Sequence, residues 1–178
     1  MSIEQFRQQL PEFAKDIKLN LTTVLTPEGA PDLIQDDIDA IALACAYSSQ
    51  NETFIKTIIN EVQPRLSAEF ITAAQLAATI MAMNNVYYRF THSVTTDSYS
   101  KLPAKLRMNA MANPPISKKQ FELYCLAVSA INNCSFCMDS HTKKLEQEGY
   151  SQLSIQSTIR IAAIIKAAAQ AQTIIDTQ

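Results

Sequence analysis

The chain has 178 residues, of which 47% are hydrophobic and 18% are charged, so it can bury the core of one globular domain. Its formal net charge is −2 and its few Lys and Arg residues are scattered, which gives no electrostatic reason to expect binding to nucleic acid. The only two glycines, Gly29 and Gly149, lie outside any glycine-rich phosphate-binding pattern. A bound dinucleotide or nucleoside triphosphate is therefore not expected.

The N-terminal residues are polar and mixed in charge, unlike the apolar segment of a secretory signal. The most apolar stretch, 71–83, is shorter than the roughly 20 residues that cross a bilayer. We therefore expect a cytoplasmic protein with no membrane segment. Thiols stay reduced in the cytoplasm, so a closely spaced cysteine pair there is more often catalytic or metal-binding than structural.

Helical periodicity dominates the chain, and no segment predicts a strand. The predicted helices, in chain order, are 3–10, 12–25, 33–49, 52–62, 68–88, 106–111, 118–132, 134–148 and a last one from Ser151 or Ser154 to Ile175. Asn51 and Ser117 are predicted N-caps, and Gly149 is a predicted helix stop. The polar stretch 91–103 is predicted to be a loop. The sequence thus predicts an all-α fold.

Two stretches of the chain resemble each other. Residues 78–85 align without gaps to residues 126–133, and each ends in Asn-Asn within an otherwise apolar helical context. One interpretation is a single domain, 1–178, built from a degenerate half of about 1–100 and a redox-active half that completes the chain. The other is chance similarity between two Ala-rich helices.

The motif Cys134-Ser135-Phe136-Cys137 lies where one apolar helix ends and the next begins. Free backbone N–H groups and the helix dipole at such a start favour a thiolate. The i, i+3 spacing brings the two sulfurs within bonding reach, so the pair can cycle between dithiol and disulfide. The other cysteines, Cys45 and Cys125, lie in apolar helices and are predicted to be packed small hydrophobes.

Two further residues can supply acid–base chemistry to this motif. His141 lies one helical turn after Cys137, where an imidazole can take the thiol proton or stabilise the thiolate. Glu122 lies in an otherwise apolar helix, and a carboxylate in such surroundings needs a partner. It can orient His141 in a Glu–His–Cys relay, or it can lie exposed in the first helical turn.

Metal binding is the main competitor of this interpretation. Cys134, Cys137 and His141 form CxxCxxxH, which offers three zinc ligands. A closed structural site needs a fourth ligand, for which His92 is the only other histidine. No second CxxC is present, so a structural zinc protein is the weaker hypothesis.

At these residues, and over nearly the whole chain, the sequence resembles the AhpD alkyl hydroperoxidase family, within the wider carboxymuconolactone decarboxylase-like group. The resemblance is carried by residues 1–4, 10–12 and 14–21, by 83–89 and 106–109, and by 121–123 with 127–132, the CxxC motif, His141 and Thr142.

The resemblance implies an all-helical fold with an internal pseudo-repeat, which typically assembles as a homotrimer. It implies an antioxidant oxidoreductase of the oxidative stress response that reduces organic hydroperoxides and re-reduces a partner peroxiredoxin, AhpC. No tightly bound cofactor is implied. Electrons would reach a redox-active disulfide from a lipoyl group on a 2-oxoacid dehydrogenase component.

Carried over by position, the resemblance makes Cys137 the peroxidatic thiol that becomes a sulfenic acid, and Cys134 the resolving thiol and proton donor. Glu122 and His141 would form the proton relay. The chain departs from the family at Phe136, because typical members have His inside the motif. Phe cannot stabilise a thiolate or move a proton, so we expect slower direct turnover of peroxide, while disulfide exchange can survive.

Two other activities are alternative hypotheses for this sequence. A disulfide reductase that serves a peroxiredoxin with negligible peroxidase activity uses the same residues, and the loss of the motif His favours it. Lactone decarboxylation, as in the wider group, leaves the CxxC pair without a purpose and is the weakest hypothesis.

Overall fold

A computed structural model describes residues 1–96 and 98–178. The described residues form nine α-helices and no strand, which confirms the all-α prediction. The helices are α1 (Ile3–Gln9), α2 (Lys15–Val24), α3 (Gln35–Ser49), α4 (Glu52–Val62), α5 (Ala68–Ser93), α6 (Asn109–Ala112), α7 (Lys118–Ile131), α8 (Ser135–Gln147) and α9 (Gln152–Asp176), with short 3₁₀ turns at Glu12–Ala14 and Tyr99–Lys101. None of the helices in these two stretches is long and apolar enough to span a bilayer.

Helix α3 forms the centre of the fold. Every residue from Asp37 to Ala46 is buried, and the helix packs against α4, α5, α7 and α9. A helix that is apolar all round has no face to offer to water, so its neighbours enclose it. Its two buried carboxylates are hydrogen-bonded: Asp39 accepts two bonds from the Arg65 guanidinium, and Asp37 accepts one from the Tyr124 hydroxyl.

The predicted helix ends are largely confirmed. The Asn51 side chain accepts a hydrogen bond from the Phe54 N–H at 2.8 Å, and the Ser117 hydroxyl accepts one from the Gln120 N–H. Gly149 follows α8 with φ of +87°, a left-handed conformation that suits glycine. Short polar residues and glycine thus mark where helices begin and end.

Helix α5 is longer than predicted, since it continues to Ser93 into the stretch 91–103 that its polarity predicts as a loop. Thr91 is buried and its hydroxyl bonds the Tyr88 carbonyl, so packing outweighs the low helix propensity of this stretch. Further along, a 3₁₀ turn interrupts the predicted loop, and Asp97 lies outside the described residues.

Hydrogen bonds hold α5 against the end of α7. The Asn85 amide donates to the Ser129 hydroxyl at 2.9 Å and accepts from the Asn132 amide at 3.0 Å. Arg89 donates to the Asn132 carbonyl at 2.8 Å. The two Asn-Asn segments therefore meet, although the first lies inside α5 and the second ends α7. A division into two related halves stays a prediction.

Candidate active site

The turn between α7 and α8 sets the position of the CxxC motif. Asn133 adopts a left-handed conformation with φ of +54°, which Asn tolerates better than most residues. The Asn133 N–H bonds the Ala130 carbonyl at 3.1 Å, and the Cys134 N–H bonds the Ser129 carbonyl at 3.1 Å. This pair of bonds is a Schellman motif, which satisfies the last carbonyls of α7. It leaves Cys134 as the N-cap of α8.

The two cysteines of the motif are joined. Cys134 and Cys137 form a disulfide with Cα atoms 5.2 Å apart, and the Cys134 sulfur also accepts a hydrogen bond from the Cys137 N–H at 3.3 Å. Both sulfurs lie in the first turn of α8, where the dipole and free N–H groups favour negative charge. Cys134 is fully buried and Cys137 is 5% exposed, so the second cysteine is the one that a small molecule can approach.

The structure brings Glu122 and His141 together. The Oε2 atom of Glu122 on α7 lies 2.6 Å from the Nδ1 atom of His141 on α8. The imidazole is buried and the carboxylate is partly buried, so Glu122 does not occupy the exposed position that the sequence left open. A carboxylate at one ring nitrogen fixes the orientation of an imidazole and stabilises its protonated form.

Cys137 and His141 line one cavity of about 200 Å³. Its other lining residues are Met81, Asn84 and Tyr88 from α5, Met108 and Met111 at α6, and Ser140 from α8. Thioether and aromatic walls with a few polar groups suit a small molecule that has an apolar body and a polar end. The sequence indicated Cys137 and His141 but missed the lining from α5 and α6. Two signals pointed to that lining: the repeated Asn-Asn, and the family resemblance at residues 83–89 and 106–109.

Phe136, between the two cysteines of the motif, forms an aromatic stack at the surface. Its ring lies on the imidazole of His92 with centroids 3.6 Å apart and planes 8° apart, and Tyr88 lies 5.8 Å from it. Phe136 and His92 are both exposed. The histidine that the sequence offered as a fourth zinc ligand is thus held against an aromatic ring. Across residues 1–96 and 98–178, no group of three His, Cys, Asp or Glu side chains is placed to hold a metal.

The two remaining cysteines are free and fully buried, as predicted. Burial raises the pKa of the Cys45 thiol well above its usual range. Burial, with the nearby charge of Glu122, does the same to the pKa of Cys125. A buried thiol that resists ionisation is a poor nucleophile, so Cys45 and Cys125 are poor candidates for a reactive sulfur.

The chain is similar to known proteins over nearly its whole length. The sequence profile of the carboxymuconolactone decarboxylase family matches residues 98–176, which contain the CxxC motif, Glu122 and His141. The chain is 48% identical to the alkyl hydroperoxide reductase AhpD of Coxiella burnetii over 172 residues, 97% of each chain. It is 47% identical to the protein of the same name from a Bradyrhizobium species, over 96% of this chain and 93% of the relative. The match to the protein of that name from Azorhizobium caulinodans is 46%, with the same coverage. The chain therefore belongs to the AhpD family of alkyl hydroperoxide reductases, as its sequence resemblance predicted.

Proposed function

We propose that this protein is an antioxidant thiol peroxidase that reduces organic hydroperoxides at Cys137. One observation carries the proposal: Cys137 and His141 line the same small cavity, and the imidazole is held by Glu122. A nucleophile, a proton carrier and a binding space are the three parts that this reaction needs.

In the first step the Cys137 thiolate attacks the terminal oxygen of the hydroperoxide. The O–O bond breaks, the sulfur becomes a sulfenic acid, and the other oxygen leaves as an alkoxide. Protonated His141 gives the alkoxide its proton, so the products are an alcohol and the sulfenic acid. Glu122 favours the imidazolium that this step consumes.

In the second step the Cys134 thiol attacks the sulfur of the Cys137 sulfenic acid. The S–S bond forms, and hydroxide leaves with the proton of the Cys134 thiol as water. The 5.2 Å between the two Cα atoms lies within the range that a disulfide requires. The burial of Cys134 supports a resolving role, because that sulfur needs to meet only Cys137.

Recycling requires a dithiol that reaches the disulfide. Since Cys137 is the sulfur at the cavity, the donor has to be slender, which supports the lipoyl group of a 2-oxoacid dehydrogenase component that the family resemblance implies. The resemblance equally implies reduction of an AhpC-type peroxiredoxin and assembly as a homotrimer, and the polar N-terminal residues support a cytoplasmic location. Val86 and Phe90 are exposed apolar side chains one helical turn apart on α5, which supports a face that assembly covers.

A second candidate is a disulfide reductase that serves the peroxiredoxin and has negligible peroxidase activity. The observation that favours it is Phe136: the motif lacks an imidazole between its cysteines, and an exposed aromatic stack lies there instead. Such a stack offers area for docking a protein partner rather than acidity for a thiol.

A stopped-flow titration with cumene hydroperoxide separates the two candidates. The reduced protein is mixed with the hydroperoxide, and thiol loss is followed for the parent and for Cys137→Ser, with Cys125→Ser as a buried-cysteine control. A peroxidase loses two thiols per chain, and Cys137→Ser is inert while Cys125→Ser behaves as the parent. Slow reaction with the hydroperoxide together with fast reduction of an oxidised AhpC-type peroxiredoxin would identify the reductase, and inertness to both would overturn the proposal.

A further inference from the structure

We propose that the side-chain carboxamide of Asn84 binds the hydroperoxide, by accepting a hydrogen bond from its terminal O–H. The inference rests on the proposed function and adds to it a substrate-binding residue on α5, outside the motif and the relay.

Asn84 lines the cavity that Cys137 and His141 also line. The residue is only 4% exposed, and its Oδ1 atom is buried without a hydrogen-bond partner among the described residues. Its amide N–H donates to the Met111 sulfur at 3.3 Å. A thioether sulfur has no hydrogen to donate, so the atom of Asn84 that faces Met111 has to be the amide nitrogen. The carboxamide oxygen is therefore the atom left without a partner.

The adjacent Asn85 shows what an ordinary buried asparagine does in this helix. It is 1% exposed, and it both donates to the Ser129 hydroxyl and accepts from the Asn132 amide. Buried carboxamide oxygens are nearly always paired, since leaving one unpaired is costly. The unpaired oxygen of Asn84 therefore indicates a donor that arrives in the cavity.

A hydroperoxide carries one such donor, its terminal O–H. When the Asn84 oxygen accepts this hydrogen bond, it holds the terminal oxygen that Cys137 attacks. The alkyl group then lies toward the methionine side chains of the cavity wall. The thiolate forms the S–O bond, the O–O bond breaks, and the alkoxide takes its proton from His141. The O–H bond itself does not break, so the same hydrogen stays on the sulfenic acid and Asn84 can hold it after the oxygen is transferred.

The test compares two reagents in the Cys134→Ser background, where Cys137 is the only cysteine left in the motif. Cumene hydroperoxide has an O–H donor, whereas methyl methanethiosulfonate modifies the same thiolate and has no hydrogen-bond donor. Removing the acceptor with Asn84→Leu is expected to lower the hydroperoxide rate constant about tenfold, the usual effect of one hydrogen bond, and to leave the thiosulfonate rate unchanged.

The ratio of the two rate constants is the quantity that decides. It should fall about tenfold in Asn84→Leu and stay at the parent value in Asn60→Leu, where the changed asparagine is exposed on α4. An unchanged ratio in Asn84→Leu, or equal loss of both rates, would overturn the role of Asn84 while leaving the peroxidase proposal intact. A parent that reacts with the thiosulfonate but not with the hydroperoxide would overturn both.

Discussion

The ring of Phe136 stacks on the imidazole of His92, with centroids 3.6 Å apart and planes nearly parallel. An apolar ring thus lies between the two cysteines of the motif, and the imidazole of His92 is packed against that ring. Phe136 offers the cysteines no proton-carrying group. In the proposed mechanism, stabilisation of the thiolate comes from the start of α8 and from His141.

Phe136→His should therefore speed the reaction of Cys137 with hydroperoxides. An imidazolium beside the thiolate is expected to raise the second-order rate constant roughly tenfold, the effect of about 1.4 kcal/mol of added stabilisation. The measurement is stopped-flow oxidation at neutral pH, with the thiolate fraction followed by its ultraviolet absorbance. His92→Ala removes the stack without adding an imidazole and should leave the rate near that of the parent. A Phe136→His variant no faster than His92→Ala would contradict this explanation of the motif.

Glu122→Gln tests the relay. The 2.6 Å contact between Glu122 and His141 joins a carboxylate to an imidazole, and an amide in its place keeps the shape but loses the charge. We expect the hydroperoxide rate constant to fall roughly ten- to a hundredfold, since hydrogen bonds to charged groups contribute about 1.5–3 kcal/mol. Glu146→Gln, an exposed change on α8, is the matched control, and a rate constant of Glu122→Gln equal to that of Glu146→Gln would count against the relay.

The sequence was sufficient to predict the helices and the side chains that meet at the candidate site, because both leave local signals. Asn51, Ser117 and Gly149 act at helix ends through bonds to residues three or four positions away, and Cys137 and His141 share a helical face through their spacing. These relationships depend on neighbours along the chain, so a pattern can reveal them.

The cavity and the Asn84 acceptor could not be predicted from local patterns, because they depend on contacts between distant parts of the chain. Asn84 and Tyr88 reach the site only because α5 packs beside α8, and Met111 reaches it from a short helix between them. The same packing extends α5 through the buried Thr91, which the polar sequence around it does not predict.

Asn133→Val tests how the turn positions the motif. A β-branched residue is strained at a φ of +54°, so unfolding in urea should show a loss of about 1–2 kcal/mol. The variant should also slow the reaction of Cys137, because the turn sets where α8 begins. Gln50→Val is the matched control: Gln50 has a φ of +61° at the end of α3, so the variant should lose similar stability and keep the thiol reactivity. Asn133→Gly should keep both the stability and the thiol reactivity of the parent. Equal thiol reactivity in Asn133→Val, Gln50→Val and Asn133→Gly would contradict a positioning role for the turn.

Asp37 makes the stability of the fold depend on pH. Burial is the main cause that raises the pKa of Asp37 to about 6, against about 4 in an unfolded chain. The folded protein then binds the Asp37 proton more tightly than the unfolded chain does. The stabilising contribution of protonated Asp37 is therefore present in full below about pH 4 and is lost as the pH rises through about 6. Asp37→Asn should therefore raise the free energy of unfolding by about 3 kcal/mol at pH 7 and change it little at pH 4.

The exposed neighbour Asp36 provides the control for this prediction. Its charge contributes only a minor part of the effect on Asp37, so Asp36→Asn should change the pH dependence little. Urea unfolding at several pH values between 4 and 7 gives the comparison. Equal stability of parent and Asp37→Asn at pH 7 would show that Asp37 is not a source of the pH dependence.

The central claim is that the oxygen taken from the hydroperoxide goes to the sulfur of Cys137. The most direct measurement is mass spectrometry of reduced Cys134→Ser after one equivalent of cumene hydroperoxide and trapping with dimedone, which labels sulfenic acids. The account predicts one dimedone adduct per chain, on Cys137, with Cys45 and Cys125 unmodified. An adduct on either buried cysteine, or no adduct while the thiols stay reduced, would contradict it.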